Sequence, residues 1–277
     1  MRKLGQHAQK QILSIGLIIV LTGVFSVACA GRKVVRVTVT EQDVLRANEA
    51  SQEGDLAFGR KDYYAALIKY LEAVRLNPNN DNMYNRLGII YSQLKLYEDA
   101  RQAFEHALAL KPKFAYAVNN LGSVYFAQGN LKKAEKFFKK AIHLKTDEAS
   151  FHMNLGSIYL ERQKIDDAMV EFRKSLALDP DILSKNSAVI LPGSGSSESP
   201  MKRFYFLARL YASAGNVEPA IENLKQAISN GFSDVEAIEK QHDFDSIRQD
   251  ERFVKFMQEI ALLIRLRSNV GLPANTK

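Results

Sequence analysis

The chain has 277 residues, 38 of them Lys or Arg and 31 Asp or Glu, for a formal charge of +7. With 46% apolar and 25% charged residues it is too apolar for a disordered chain, and its length suits one or two domains or a single repeat array. The single Cys excludes an intrachain disulfide framework and a thiolate zinc cage, and five scattered His leave little for a His-based metal site.

Residues 1–28 carry the signs of targeting. Arg2, Lys3 and Lys10 precede an apolar run from Ile12 to Ala28, and no acidic residue occurs before Glu41. A positive start followed by such a run reads as an export signal or a membrane anchor. At 17 residues the run is longer than the ~7–15 of a cleaved signal core and shorter than the ~20 that span a bilayer, so length does not choose between them. Small residues lead into Cys29 at its C-terminal edge. The stretch Ser26-Val27-Ala28-Cys29 resembles the lipobox of bacterial lipoproteins, with Ser26 where that family usually has Leu. Ala28-Cys29-Ala30 also fits an A-x-A secretory cleavage site, and an uncleaved helix is the third reading. The lipoprotein resemblance implies lipidation of Cys29, and Ala30 after it implies outer-membrane routing. Three of the 38 basic residues lie before Cys29, so cleavage leaves 35 against 31, a net +4. The basicity is therefore partly that of the leader and is no nucleic-acid signature.

Residues 29–40 read as a linker. Val35, Val37 and Val39 alternate with Arg36, Thr38 and Thr40, which predicts an extended spacer or an edge strand. Thr40-Glu41-Gln42-Asp43 predicts the N-cap of a first helix.

From there a period of 34 dominates. Gly54, Gly88, Gly122 and Gly156 are spaced by 34, as are Ala66, Ala100, Ala134 and Ala168. Tyr70, Phe104, Phe138 and Phe172 keep the same phase, and Pro78, Pro112 and Pro180 close three of four units. Leu87, Leu121 and Leu155 precede three of the glycines, and Tyr91, Tyr125 and Tyr159 follow them by three. This layout resembles the tetratricopeptide repeat, in units 47–80, 81–114, 115–148 and 149–182. The first departs most, with Glu53 and Ala57 where Leu and Tyr are expected. The resemblance implies an all-α solenoid of helical hairpins. Small residues would let helices cross closely, aromatics would fill the space between successive hairpins, and Pro would end each unit.

Residues 183–200, ending in the run LPGSGSSESP from Leu191 to Pro200, read as a Gly/Ser/Pro loop. A fifth unit resumes at 201–234 with Leu207, Ala208, Tyr211, Gly215, Ala220, Leu224 and Ala227 in phase. Residues 235–266 predict capping helices, with Ser233 as N-cap and Ile247, Phe253, Phe256, Met257 and Ile260 as the buried face. Residues 267–277 read as a tail.

No phosphate-binding loop, dinucleotide fingerprint or H-E-x-x-H occurs, and the reading is of a protein that is not an enzyme, with no catalytic, cofactor-binding or metal-ligating residue. Lys132, Lys136 and Lys140 form an i, i+4 stripe that reads as a solvated face rather than a nucleic-acid site. The family resemblance places the second, fifth, ninth and twelfth residues of each unit on a concave groove. It thereby nominates Asn85, Ile89, Tyr116, Asn119, Ser123, Phe126, Met153, Ser157, Tyr205 and Arg209 for contact with an extended peptide or helix. Asn120 and Asn154 occupy a slot where Asn is a common scaffold residue. The Lys and Asn that grip acidic chaperone tails in related co-chaperones are missing from the ninth positions, which hold Asp55, Ile89, Ser123, Ser157 and Arg209. The expectation is a membrane-tethered scaffold of a bacterial envelope machine, facing the periplasm, of the pilus, secretin or peptidoglycan type. The alternative is an uncleaved membrane-anchored adaptor that regulates an enzyme.

Overall fold

A computed structural model describes residues 36–185 and 200–269. Cys29, the apolar run before it, and nearly all of the Gly/Ser/Pro loop and C-terminal tail lie outside the described residues. Among the described residues there is no β-strand, and residues 36–40, expected as part of an extended spacer or edge strand, have no regular secondary structure. The helices run in antiparallel pairs. The first hairpin is α1 (Glu41–Gly59) and α2 (Tyr63–Leu76), and the second is α3 (Asp81–Gln93) and α4 (Tyr97–Leu110). The third is α5 (Ala115–Ala127) and α6 (Leu131–Leu144), and the fourth is α7 (Ala149–Glu161) and α8 (Ile165–Leu178). A single turn, α9 (Ile182–Lys185), follows. The fifth hairpin is α10 (Pro200–Ser213) and α11 (Val217–Ser229), and α12 (Val235–Lys240), a 3-10 turn (His242–Phe244) and α13 (Glu251–Asn269) close the array.

Local chemistry sets the helix ends. The Thr40 hydroxyl accepts from the Asp43 amide at 3.1 Å, the expected cap of α1. Asp62, Asn80 and Asn130 cap α2, α3 and α6 in the same way. The cap of α12 is Asp234, whose carboxylate accepts from the Ala237 amide at 2.9 Å, and not the expected Ser233 one residue earlier. Within each hairpin the turn carries one left-handed residue at the fifteenth slot: Lys61, Lys95, Gly129, Gln163 and Gly215, with φ between 58° and 77°. The next amide reaches back to the carbonyl of the eleventh slot, as in Leu96 to Tyr91 at 2.8 Å and Asn216 to Tyr211 at 2.9 Å. This Schellman-type closure reverses the chain in a fixed geometry.

The repeated Gly has a specific cause. A Cβ on Gly88 would sit 2.5 Å from the Phe104 ring, and Gly54, Gly122 and Gly156 meet Tyr70, Phe138 and Phe172 at 2.6 to 2.8 Å. The aromatic therefore lies on the glycine of its own hairpin, and also receives Leu121 and Val124 of the next. Phe104 thus fills the space between successive hairpins, as the repeat resemblance implies, and in addition closes on the glycine of its own hairpin. In the fifth unit both partners change together: Ala208 stands in the Gly slot and Leu224 in the aromatic slot, both fully buried. The smaller Leu leaves room for the methyl group of Ala.

Candidate functional site: the inner face of the array

The sixth slot of a unit reaches back to the unit before it. In the second unit this residue is Arg86, which pairs with Asp55 of the first unit, while the Tyr70 hydroxyl donates to the same Asp55 oxygen at 2.6 Å. In the third unit it is Asn120, whose amide donates to Asn85 at 3.0 Å. In the fourth it is Asn154, donating to Asn119 at 2.9 Å. In the fifth it is Phe206, which meets Phe172 edge-on at 6.0 Å between ring centres. Polar side chains thus link the first four units along the inner face, and an apolar contact replaces them before the fifth.

Between the first and third units these side chains wall a cleft of about 450 Å³. Asp55, Asn82, Asn85, Arg86, Ile89 and Tyr116 line it, over a floor that includes Phe58 and Phe114. Tyr116 is exposed and held at both ends: its hydroxyl donates to Glu148 at 2.6 Å, and its ring lies edge-on to Phe114 and Phe151. The Glu148 carboxylate, foremost through that hydrogen bond, holds the Tyr116 phenol above its ordinary pKa. Partial burial holds the Arg86 guanidinium below its own. The wall offers amide donors and acceptors, one guanidinium, one carboxylate and an aromatic face, a set that suits a peptide backbone with apolar side chains.

Of the nominated residues, Asn85, Ile89 and Tyr116 come together in this cleft. Ser123 and Phe126 are half-buried farther along α5. Asn119, Met153 and Ser157 are buried, at 7%, 2% and 6% exposure. Asn119 serves the amide chain, Met153 packs with Phe206 and Leu210, and the Ser157 hydroxyl donates to its own helix at Met153. Tyr205 and Arg209 are covered by the chain itself. Phe232 stacks on Tyr205 at 4.3 Å, and Arg209 donates to Asp243 at 2.7 Å. The Ser246 hydroxyl donates to the carbonyl of Ala212, the twelfth residue of the unit. Asp243-Phe244-Asp245-Ser246 therefore lies across the fifth, ninth and twelfth slots of the fifth unit.

Sequence reasoning passed over Asp55 and Arg86 as a pair. The signal was present: Arg stands in the slot where the next two units have Asn, opposite the only acidic ninth residue. Among the described residues no group of three or more His, Cys, Asp or Glu is arranged to hold a metal, and no helix is long and apolar enough to cross a membrane. His152 is buried, with Nδ1 2.6 Å from Glu171. Lys132, Lys136 and Lys140 are exposed on α6.

Models of the tetratricopeptide repeat match residues 52–113, 85–149, 149–182 and 202–230, together more than half of the chain. The chain is similar to Hsp70-Hsp90 organizing protein 3 of Arabidopsis thaliana, 37% identical over 54 residues, 20% of this chain and 10% of that protein. It is also similar to small glutamine-rich tetratricopeptide repeat-containing protein 2 of Mycosarcoma maydis, 32% identical over 68 residues, 23% of this chain and 19% of that protein. The matched stretch is thus a fifth or less of either relative. Among solved structures, TTC0263 of Thermus thermophilus aligns over 73% of this chain and 98% of its own, at 19% identity and a TM-score of 0.49.

Proposed function

We infer, for a chain that belongs to the tetratricopeptide-repeat family, that it is a scaffold whose inner face takes up a polypeptide along the first three units. One observation carries this reading. Asn82, Asn85 and Ile89 of the second unit and Tyr116 of the third line an open cleft, with Arg86 on its wall, whereas the concave slots of the fifth unit are already in contact with later parts of the chain. Amide side chains match a peptide backbone, and Ile89 with Tyr116 supplies apolar anchorage.

The finer reading rests on the sequence. The basic start, the apolar run and Cys29 support a lipid-tethered body on the periplasmic side of a bacterial outer membrane, where a scaffold of this kind serves assembly of an envelope machine. Replacing Cys29 with Ser releases the body from the membrane fraction under this reading, and unchanged sedimentation refutes it.

The trough is tested by a photo-crosslinking residue at position 116 in the full chain, with position 136 on α6 as control. A discrete crosslinked polypeptide at 116, missing at 136 and lost with Asn82→Ala, supports the reading. Equal labelling at both positions contradicts it. Asn119 is unsuitable for this purpose, because its replacement unseats Asn154 and confuses binding with stability.

A further inference from the structure

We propose that Asp55 sets the charge of the polypeptide that the cleft accepts, admitting an uncharged stretch with an apolar side chain and turning away an acidic one. The proposal rests on the reading of the inner face as a polypeptide trough and adds to it a residue that decides between ligands.

Three departures from the repeat meet at one atom. The twenty-fourth slot is Phe in the second, third and fourth units and Tyr only in the first, at Tyr70. The ninth slot is acidic only in the first unit, at Asp55, and the sixth is basic only in the second, at Arg86. The Tyr70 hydroxyl donates to Oδ1 of Asp55 at 2.6 Å, and Nη1 of Arg86 pairs with the same oxygen. Stacking of the hairpins does not require this trio. Phe138 and Phe172 close the third and fourth hairpins without a hydroxyl, and an Asn–Asn bond joins each of those units to the one before it.

The trio stands at the cleft, where it governs charge. Among the described residues that line the cleft, Arg86 is the one base and Asp55 the one acid. Their side chains are 41% and 42% exposed, so a ligand reaches both. Unpaired, the Arg86 guanidinium would draw a carboxylate through charge-assisted hydrogen bonds. Paired, its charge is cancelled at close range, and a ligand carboxylate brought to it also meets Asp55. The guanidinium keeps further N–H groups for a backbone carbonyl, which brings no charge. Two bases beside the cleft are cancelled in the same way. Lys111, with Nζ 4.8 Å from the centre of the Phe114 ring, pairs with Asp81 at 3.6 Å. Lys145, 6.0 Å from the centre of the Tyr116 ring, pairs with Asp147 at 3.0 Å and with Glu148 at 3.7 Å. The attraction left to the cleft is that of neutral groups, amides for a peptide backbone and aromatic rings for an apolar side chain.

The test pans a phage-displayed library of random dodecapeptides against the full chain in a mild detergent and counts only clones that Asn82→Ala no longer captures. Wild-type clones should carry apolar residues and be poor in Asp and Glu. Affinity of the matching synthetic peptides should change less than about threefold between roughly 0.05 and 0.5 M salt, because no net charge is neutralised. Asp55→Asn keeps an acceptor for the Tyr70 hydroxyl and leaves the Arg86 charge unopposed. This variant should enrich acidic clones and bind an Asp-substituted wild-type peptide about tenfold more tightly than the wild type does, with affinity falling as salt rises. Adding Arg86→Gln should cancel that gain, which a merely loosened cleft would not do. Acidic wild-type clones, an unchanged preference in Asp55→Asn, or a gain that persists without Arg86 overturns the role of Asp55 and leaves the trough intact. A library without a clone that depends on Asn82 overturns the trough, and this proposal with it.

Discussion

The second and fifth units use the same slots to opposite ends. In the second, Asn82, Asn85 and Ile89 face an open cleft. In the fifth, Tyr205 meets Phe232 at the end of its own unit, and Arg209 and Ala212 meet Asp243 and Ser246 of the C-terminal segment. A repeat therefore fixes where a side chain points, while the neighbouring chain decides whether that surface is free. The difference extends into the hairpins. The second is locked by a ring lying on a glycine, Phe104 on Gly88, and the fifth by the pair Ala208 and Leu224.

The largest effect should come from breaking the cover on the fifth unit. Phe244 is fully buried in the cluster that joins α10, α11 and α13. Phe244→Ala is expected to cost about 3–5 kcal/mol, the range for emptying a buried aromatic site. Because each unit contacts only its neighbours, the loss should be local. Hydrogen exchange should quicken across residues 201–248 and stay slow across 81–161. Equal acceleration of both stretches would show that the two regions share one cooperative unit.

A smaller effect sharpens the contrast between the two hairpin locks. Gly88→Ala forces a methyl group against Phe104 and should cost about 1–3 kcal/mol, the usual penalty for overpacking. Adding Phe104→Leu installs the fifth unit's own pair in the second. The double variant should then lose less than the sum of the two single ones, with a coupling of about 0.5–3 kcal/mol by urea denaturation. Strict additivity would mean that the ring and the glycine do not constrain each other.

Much of this was legible in the sequence and some was not, for definite reasons. The period of 34 fixed the hairpins, because Gly, Ala and aromatic residues recur in phase wherever helices cross. The left-handed turn residue recurs just as strictly, yet Lys61, Lys95 and Gln163 hold it in three of five units, so composition hides it. The concave slots were legible as positions but not as free surface. Met153 is closed off by Phe206 and Leu210, which arrive only after the intervening loop, and Arg209 is closed off by Asp243, in a segment without the repeat's consensus residues. The cap of α12 fell one residue away from Ser233, because Asp234 offers a carboxylate at the better position.

The smallest effect concerns pH, and it again separates the second unit from the fifth. Tyr84 and His106 occupy the fourth and twenty-sixth slots of the second unit, with ring centres 4.0 Å apart. The fifth unit has Phe204 and Gln226 in those slots, neither of which titrates. Burial pushes the Tyr84 phenol up to about 12, outside the range of interest, and holds the His106 imidazole below its ordinary value of 6.5. The folded state thus favours neutral His106, while the unfolded chain takes up a proton as pH falls through about 6.5. Stability from this site is complete above that pH and is lost as pH falls toward the depressed folded-state value. The carboxylates held low by partners, such as Glu98 beside Arg101, act only below about pH 4.5, their unfolded range. Urea midpoints measured from pH 7.5 to 5 should therefore fall more steeply in the wild type than in His106→Gln, which places the fifth unit's amide in the second. The comparison cancels every other histidine, so parallel curves would show that the imidazole packed at a tilt against Tyr84 is hydrated as freely as in the unfolded chain.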